Sequence, residues 1–184
     1  DLGLERERYI LTVGRFIVER GFHTLLEAFS RIETDLRLVI VGDARFEERY
    51  ASDLRRIADD RVLFPGYICG NLLNELYAHC SFYVLPSTVE GLPISLIEAM
   101  SFARPVLMSD IPENLEVAGE IARTFRAGNA DELERSLRSM IETGTEERAE
   151  MGRSGKERVA AEYTWDGVAD RIERLYLECI VSKD

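Results

Sequence analysis

PSTVEGLPISLIE, residues 86–98, sets two glutamates, Glu90 and Glu98, eight positions apart across what reads as the start of a helix. Eight steps of about 100° overshoot two full turns by about 80°, so one continuous helix would not superpose the pair. The residues between them suggest another arrangement. Ser87 and Thr88 make a polar loop ending at Glu90, Gly91 permits a sharp turn, and Pro93 suits a first helical position. Ile94, Leu96, Ile97 and Met100 supply an apolar face, with Glu98 one turn into the helix. Backbone N–H groups at Leu92, Ile94 and Ser95 are then expected to face whatever lies beside Glu90. That is an anion site flanked by two carboxylates, a shape suited to a phosphate joined to sugars. On spacing alone, an acidic loop residue followed by a solvated helical glutamate is the commoner case.

On either side of this stretch, apolar runs closed by small residues alternate with amphipathic segments. Strands are predicted over residues 9–13, 36–41, 62–64, 82–85 and 105–108, with a further one over 121–125. Helices are predicted over 21–32, with Phe22, Leu25, Leu26 and Phe29 inward, and over 46–58, 72–79 and 93–102. Three more, over 131–142, 146–163 and 165–181, finish the chain. Alternating βα units predict a Rossmann-like α/β fold, a three-layer α/β/α sandwich on a parallel sheet of about six strands. Ligands of such sheets lie beyond the carboxyl ends of the strands, where strand order reverses. Gly14, Gly42, Gly66 and Ser87 all follow strands and so converge on one rim. The nicotinamide reading fails there, because the first strand is followed by GRFIVERG and not by GxGxxG.

Composition narrows the classes. A chain of 184 residues fits one domain and buries about 70% of its unfolded surface. With 23 Lys and Arg against 34 Asp and Glu, the net charge of −11 argues against a nucleic-acid groove and against an anionic membrane surface. No apolar run approaches a membrane span, and no signal-peptide pattern opens the chain. The first residue is Asp1, so an excised or processed piece is expected. Cys69, Cys80 and Cys179 are an odd number without CxxC spacing, and His23 and His79 are far apart. Reduced thiols in a cytoplasmic protein are the simplest account, with no metal site; Cys80 and Cys179 read as packing residues.

The Glu90–Glu98 stretch resembles the Glu-x7-Glu element of the retaining glycosyltransferases of group 1, which have the two-domain GT-B fold. Other segments are similar in family order: VGRFIVERGFHTLLEAF (13–29), LVIVGDA (38–44), VLFPGYI (62–68), LYAHCSFYVLPS (76–87) and EAMSFARPVLMSDIPENLEV (98–117). Together the resemblance spans roughly residues 9 to 166. It implies that residues 1–184 are the nucleotide-sugar-binding C-terminal domain, with the N-terminal acceptor domain absent. The donor would be a nucleoside diphosphate sugar, with no further cofactor and no metal.

Roles follow residue by residue. Arg15, beside Gly14 at the rim, and Arg20, where relatives usually have Lys, would neutralise the diphosphate; paired surface arginines are the competing reading. Glu98 would accept from the ribose hydroxyls, and Glu90 would lie near the sugar hydroxyls or the reacting face. Gly91, Leu92 and Ile94 would wrap the phosphates; many relatives have Gly at the position of Pro93. Tyr67 and Ile68 stand where relatives hold the nucleobase, against the alternative of a surface loop. Ala103 stands where the family usually has Gly, which warns of a different turn. Leu175, Tyr176 and Ile180 on the last helix would face the missing N-terminal domain, leaving them exposed or able to drive self-association. The full enzyme is expected in the cytoplasm, or peripheral to a membrane, acting on an acceptor such as a lipid-linked or surface polysaccharide. A GT-B-fold nucleotide-sugar epimerase and a noncatalytic interaction module are the alternatives.

Overall fold

The computed structural model describes residues 2–44 and 48–181. Six strands, β1 (Tyr9–Val13), β2 (Arg37–Val41), β3 (Val62–Gly66), β4 (Phe82–Leu85), β5 (Val106–Ser109) and β6 (Arg123–Phe125), form one sheet in the order β3-β2-β1-β4-β5-β6. Every pairing is parallel, with Tyr9 opposite Arg37 and Val13 opposite Val41 between the first two strands. Strand order reverses between β1 and β4, so the crevice at their carboxyl ends is where a ligand fits.

The helices are α1 (Phe22–Ser30), α2 (Glu48–Ile57), α3 (Asn71–His79), α4 (Ile94–Ser101), α5 (Pro112–Ala118), α6 (Ala130–Glu142), α7 (Thr145–Glu162) and α8 (Trp165–Val181). The pleat sorts the strand residues into two cores. Ile10, Leu38, Ile40, Phe82 and Val84 pack with α1, α2 and α6, while Tyr9, Leu11, Val39, Tyr83 and Leu85 pack with α3, α4, α5 and α7. Phe22, Leu25, Leu26 and Phe29 are buried at helical spacing, as their periodicity predicts. Arg61 then ties α1 to β3: it donates to the Ile32 carbonyl at 2.5 Å and lies over the Phe29 ring.

Differences from the predicted elements are local. The expected start of α2 at Phe46 lies outside the described residues. Helix α5 has no counterpart among the predicted segments; it is short, opened by Pro112, and its apolar face is limited to Val117 and Ala118 beside the buried Asn114. Strand β6 begins at Arg123 because Gly119–Ile121 forms a 3-10 turn. Cys80 is buried as expected, but Cys179 is exposed on α8, whose described side chains include none that is buried. Leu175, Tyr176 and Ile180 are all open to solvent.

Candidate functional site: a cleft at the strand-order reversal

The carboxyl ends of β1, β2 and β3 are drawn together by backbone bonds. Gly14 N–H donates to Val41 O at 2.9 Å, Phe16 N–H to Asp43 O at 2.9 Å, and Gly42 N–H to Gly66 O at 3.0 Å. A methyl group on Gly42 would fall 1.9 Å from Gly14 O, so only glycine permits this approach. Beyond these ends opens a cleft of about 680 Å³, floored by Gly14, Arg15, Phe16 and Gly42 and walled by Tyr67, Ile68, Leu73 and Asn74, with Glu98 at its edge. A volume of this size holds a nucleotide-sized ligand.

Of the residues singled out from sequence, Gly14, Arg15, Tyr67, Ile68 and Glu98 line this one cleft, although they come from three separate segments. Arg15 is exposed and has no ion-pair partner among the described residues. Glu98 sits on α4 and accepts from the Tyr77 hydroxyl at 2.9 Å, which fixes its carboxylate at the cleft edge. Burial and the neighbouring Tyr83 and Glu98 push the Tyr77 hydroxyl far above its ordinary range, so it remains a donor. Tyr83 in turn donates to Ser95 Oγ at 2.8 Å, tying the first turn of α4 to the sheet.

Arg20 and Glu90 lie beside the cleft and do not line it directly. The Arg20 guanidinium is next to Gly14: a methyl there would come within 3.5 Å of Arg20 Cδ. Its Nη1 donates to Glu90 Oε1, which also accepts from Ser87 Oγ at 2.7 Å. The Glu90 carboxylate is 3% exposed and the Arg20 side chain 19%. The partner of Arg20 is Glu90, 70 positions away, so Arg20 is not one of a pair of exposed surface arginines. Burial lowers the Arg20 pKa, and the second guanidinium of Arg15 adds to the effect.

This pair belongs to a strap between the 3-10 turn Val18–Arg20 and the loop after β4. Thr88 N–H donates to Glu19 O at 2.8 Å. Gly21, at φ +66°, presses so closely on the loop that a methyl would sit 2.1 Å from Pro86 O. Pro93 is the N-cap of α4 and not its first helical residue, with φ −76° and ψ 77°. Those angles are an inverse γ-turn, and Ile94 N–H is accordingly spent on Leu92 O at 2.9 Å. Of the three N–H groups expected to face an anion, Leu92 and Ser95 remain without a partner among the described residues. Gly91, Leu92 and Ile94 are exposed on this loop.

Phe16, Gly70, Leu73 and Asn74 are cleft residues that sequence reading passed over. Their only signal is position: Phe16 lies three residues beyond β1, Gly70 caps α3, and Leu73 and Asn74 stand on its first turn. Asp43 accepts from Ala44 N–H at 2.7 Å and also lines the cleft. Among the described residues, no three His, Cys, Asp or Glu side chains are placed to share a metal ion. No helix among them is long and apolar enough to cross a membrane.

An all-parallel, doubly wound α/β/α domain with its cleft at the strand-order reversal is the class that fold and site define. The chain belongs to the family of glycosyl transferases group 1, whose model matches residues 2–158. It is similar to the Campylobacter jejuni N-acetylgalactosamine-N,N'-diacetylbacillosaminyl-diphospho-undecaprenol 4-alpha-N-acetylgalactosaminyltransferase. Identity is 27% over 146 residues, covering 77% of this chain and 39% of that protein. It is also similar to sucrose-phosphate synthase from Thermosynechococcus elongatus, with TM-score 0.84 and 26% identity over 96% of this chain and 46% of that one. The structure of Anabaena Alr3699/HepE in complex with UDP and glucose shares the fold, with TM-score 0.86 and 22% identity over 95% of this chain and 49% of that one. The chain spans less than half the length of each of these three proteins.

Proposed function

We propose that this chain is the donor-binding half of a retaining glycosyltransferase that moves a sugar from a nucleoside diphosphate to an acceptor such as a lipid-linked or surface polysaccharide. The observation that carries the reading is the cleft itself. Its floor is Gly14 and Arg15, a cation with no ion-pair partner among the described residues, and a carboxylate held by Tyr77 stands at its edge. The base lies against Tyr67 and Ile68, the ribose hydroxyls donate to Glu98, and the diphosphate rests by Arg15 and the Gly14 backbone. Neutralising the leaving diphosphate in a partly desolvated cleft lowers the barrier to breaking the glycosidic bond. Arg15 does this directly. Arg20 adds the N–H donors that Glu90 leaves it, since a guanidinium has five.

Glu90 takes a narrower part than a carboxylate open to a diol. Its Oε1 already accepts from Arg20 and Ser87, so Oε2 is what it offers to a sugar hydroxyl. This is a binding and orienting role, and no protein nucleophile is assigned. Residues 1–184 form a single donor domain, and the acceptor groups belong to a second domain. The described part of the chain therefore binds donor without transferring sugar. The full enzyme works in the cytoplasm, and a membrane-peripheral position fits the undecaprenol-linked substrate named for the Campylobacter relative.

Thermal unfolding with UDP, GDP, ADP and their sugars, with and without Mg²⁺, tests the reading. A ligand at about 100 times its Kd adds about 2.7 kcal/mol of stability, a shift of several degrees for a domain this size. One diphosphate should shift the midpoint independently of metal; no shift with any of them contradicts the proposal.

A further inference from the structure

A file of buried polar side chains runs from α5 to the strap beside the cleft. Asn114, on α5, donates from Nδ2 to Ser109 Oγ at 2.9 Å and to Ser109 O at 3.2 Å. Ser109, the last residue of β5, donates from Oγ to Ser87 O at 2.5 Å. Ser87, just past β4, donates from Oγ to Glu90 Oε1, and Glu90 holds Arg20. Asn114, Ser109 and Ser87 are each fully buried.

The chemistry fixes the direction of every bond. Ser87 Oγ faces a carboxylate oxygen, an acceptor only, so the serine must donate. Ser109 Oγ faces a carbonyl oxygen on one side and an amide N–H on the other, so it donates to the former and accepts from the latter. The Asn114 amide cannot turn over, because its Oδ1 would then oppose Ser109 O. That orientation leaves Asn114 Oδ1 buried with no partner among the described residues. An orphaned acceptor destabilises a fold. The position therefore serves the two bonds the Nδ2 group makes, both to Ser109.

We propose that Asn114 is a positioning residue for the donor site: through Ser109 and Ser87 it fixes the Glu90 carboxylate, and thereby the Arg20 guanidinium, at the diphosphate end of the cleft. The inference rests on the donor-site reading above. It makes the far end of β5 a determinant of how the diphosphate and sugar are held. The base end, at Tyr67 and Ile68, is served by other segments and stands outside the file.

The test uses Asn114→Asp, which removes the amide donors and draws the Ser109 hydroxyl away from Ser87, and Ser109→Ala, which cuts the file at its middle. Two readouts are taken for each variant that keeps a cooperative unfolding transition. The first is the side-chain ¹⁵N spectrum of Arg20 without ligand, which is resolved while Glu90 restrains the guanidinium and averages when it is released. The second is calorimetric affinity for UDP-glucose and for UMP. Averaged Arg20 signals, with affinity for UDP-glucose falling about tenfold more than that for UMP, are expected for the loss of one restraining hydrogen bond. Unchanged Arg20 signals in both variants, or equal losses for the two ligands, overturn the proposal. If wild type binds neither ligand, the donor reading fails for uridine nucleotides while the Arg20 spectrum still decides the positioning role.

Discussion

Arg15 and Arg20 look alike in sequence, but their surroundings divide the work between them. Arg15 reaches the cleft floor without an ion-pair partner among the described residues, whereas Arg20 is already committed to Glu90. A charge-assisted hydrogen bond is worth about 1.5–3 kcal/mol, so Arg15→Ala should weaken binding of a nucleoside diphosphate by about 10- to 150-fold in a calorimetric titration. Cys69 supplies a second check, since it is exposed and lines the same cleft. Bound nucleotide should slow its alkylation in proportion to occupancy, while Cys179 on α8 reacts at an unchanged rate. Ala103 has φ +54°, in the left-handed region that disfavours a Cβ, so the warning at this position corresponds to a strained turn. Ala103→Gly should stabilise the chain by about 0.5–1 kcal/mol, after glycine's greater unfolded-state entropy is subtracted, as read by urea unfolding. The placement of Glu98 and Arg15 at one cleft was legible as residue types in a pattern. The Arg20–Glu90 pair was not, because its partners are 70 positions apart and nothing local to either one names the other.

At the scale of elements, the β1, β4 and α4 assignments were legible because their apolar runs and turn residues agree. Helix α5 was hidden by its seven residues and its polar first turn. Pro93 shows how a local rule fails: its fixed φ suits a first helical position, but the same φ also suits the inverse γ-turn that the loop adopts. The layer that packs α3 and α4 carries four buried acidic protons, on Tyr9, Tyr77, Cys80 and Tyr83. Burial pushes the Cys80 thiol and the Tyr83 hydroxyl each up to about 12, and Tyr9 and Tyr77 higher still. These groups ionise in the unfolded chain first, at about pH 9 to 10. Their folded-state pKa values are raised, so the stability they contribute is complete below about pH 9 and is lost as pH rises through 12. Denaturant midpoints should therefore fall steadily from pH 8.5 to pH 11, and less steeply in Cys80→Ala. A flat profile would mean that this layer admits water.

The doubly wound sheet was legible in the whole sequence because a parallel strand buried on both faces reads as an unbroken apolar run, and the runs alternate with helices. What could not be read was which loops meet, since that depends on strand order and not on sequence order. Tyr67 and Ile68 face Arg15 only because β3, β2 and β1 lie side by side. Helix α8 stands apart from this core, with Trp165, Leu175, Tyr176 and Ile180 exposed. Ending the chain after Thr164 should shift the thermal midpoint by less than about 3 °C, because no buried side chain is lost among the described residues. On the proposed function, the cleft at the strand-order reversal binds the diphosphate of a sugar donor. The most direct test is calorimetric titration of the wild-type chain and Arg15→Ala with UDP, GDP and ADP. Binding of one diphosphate by wild type, at least tenfold weaker in the variant and unaltered by Mg²⁺, is the predicted result. Equal affinity in the two proteins, or no binding of any diphosphate, would contradict it.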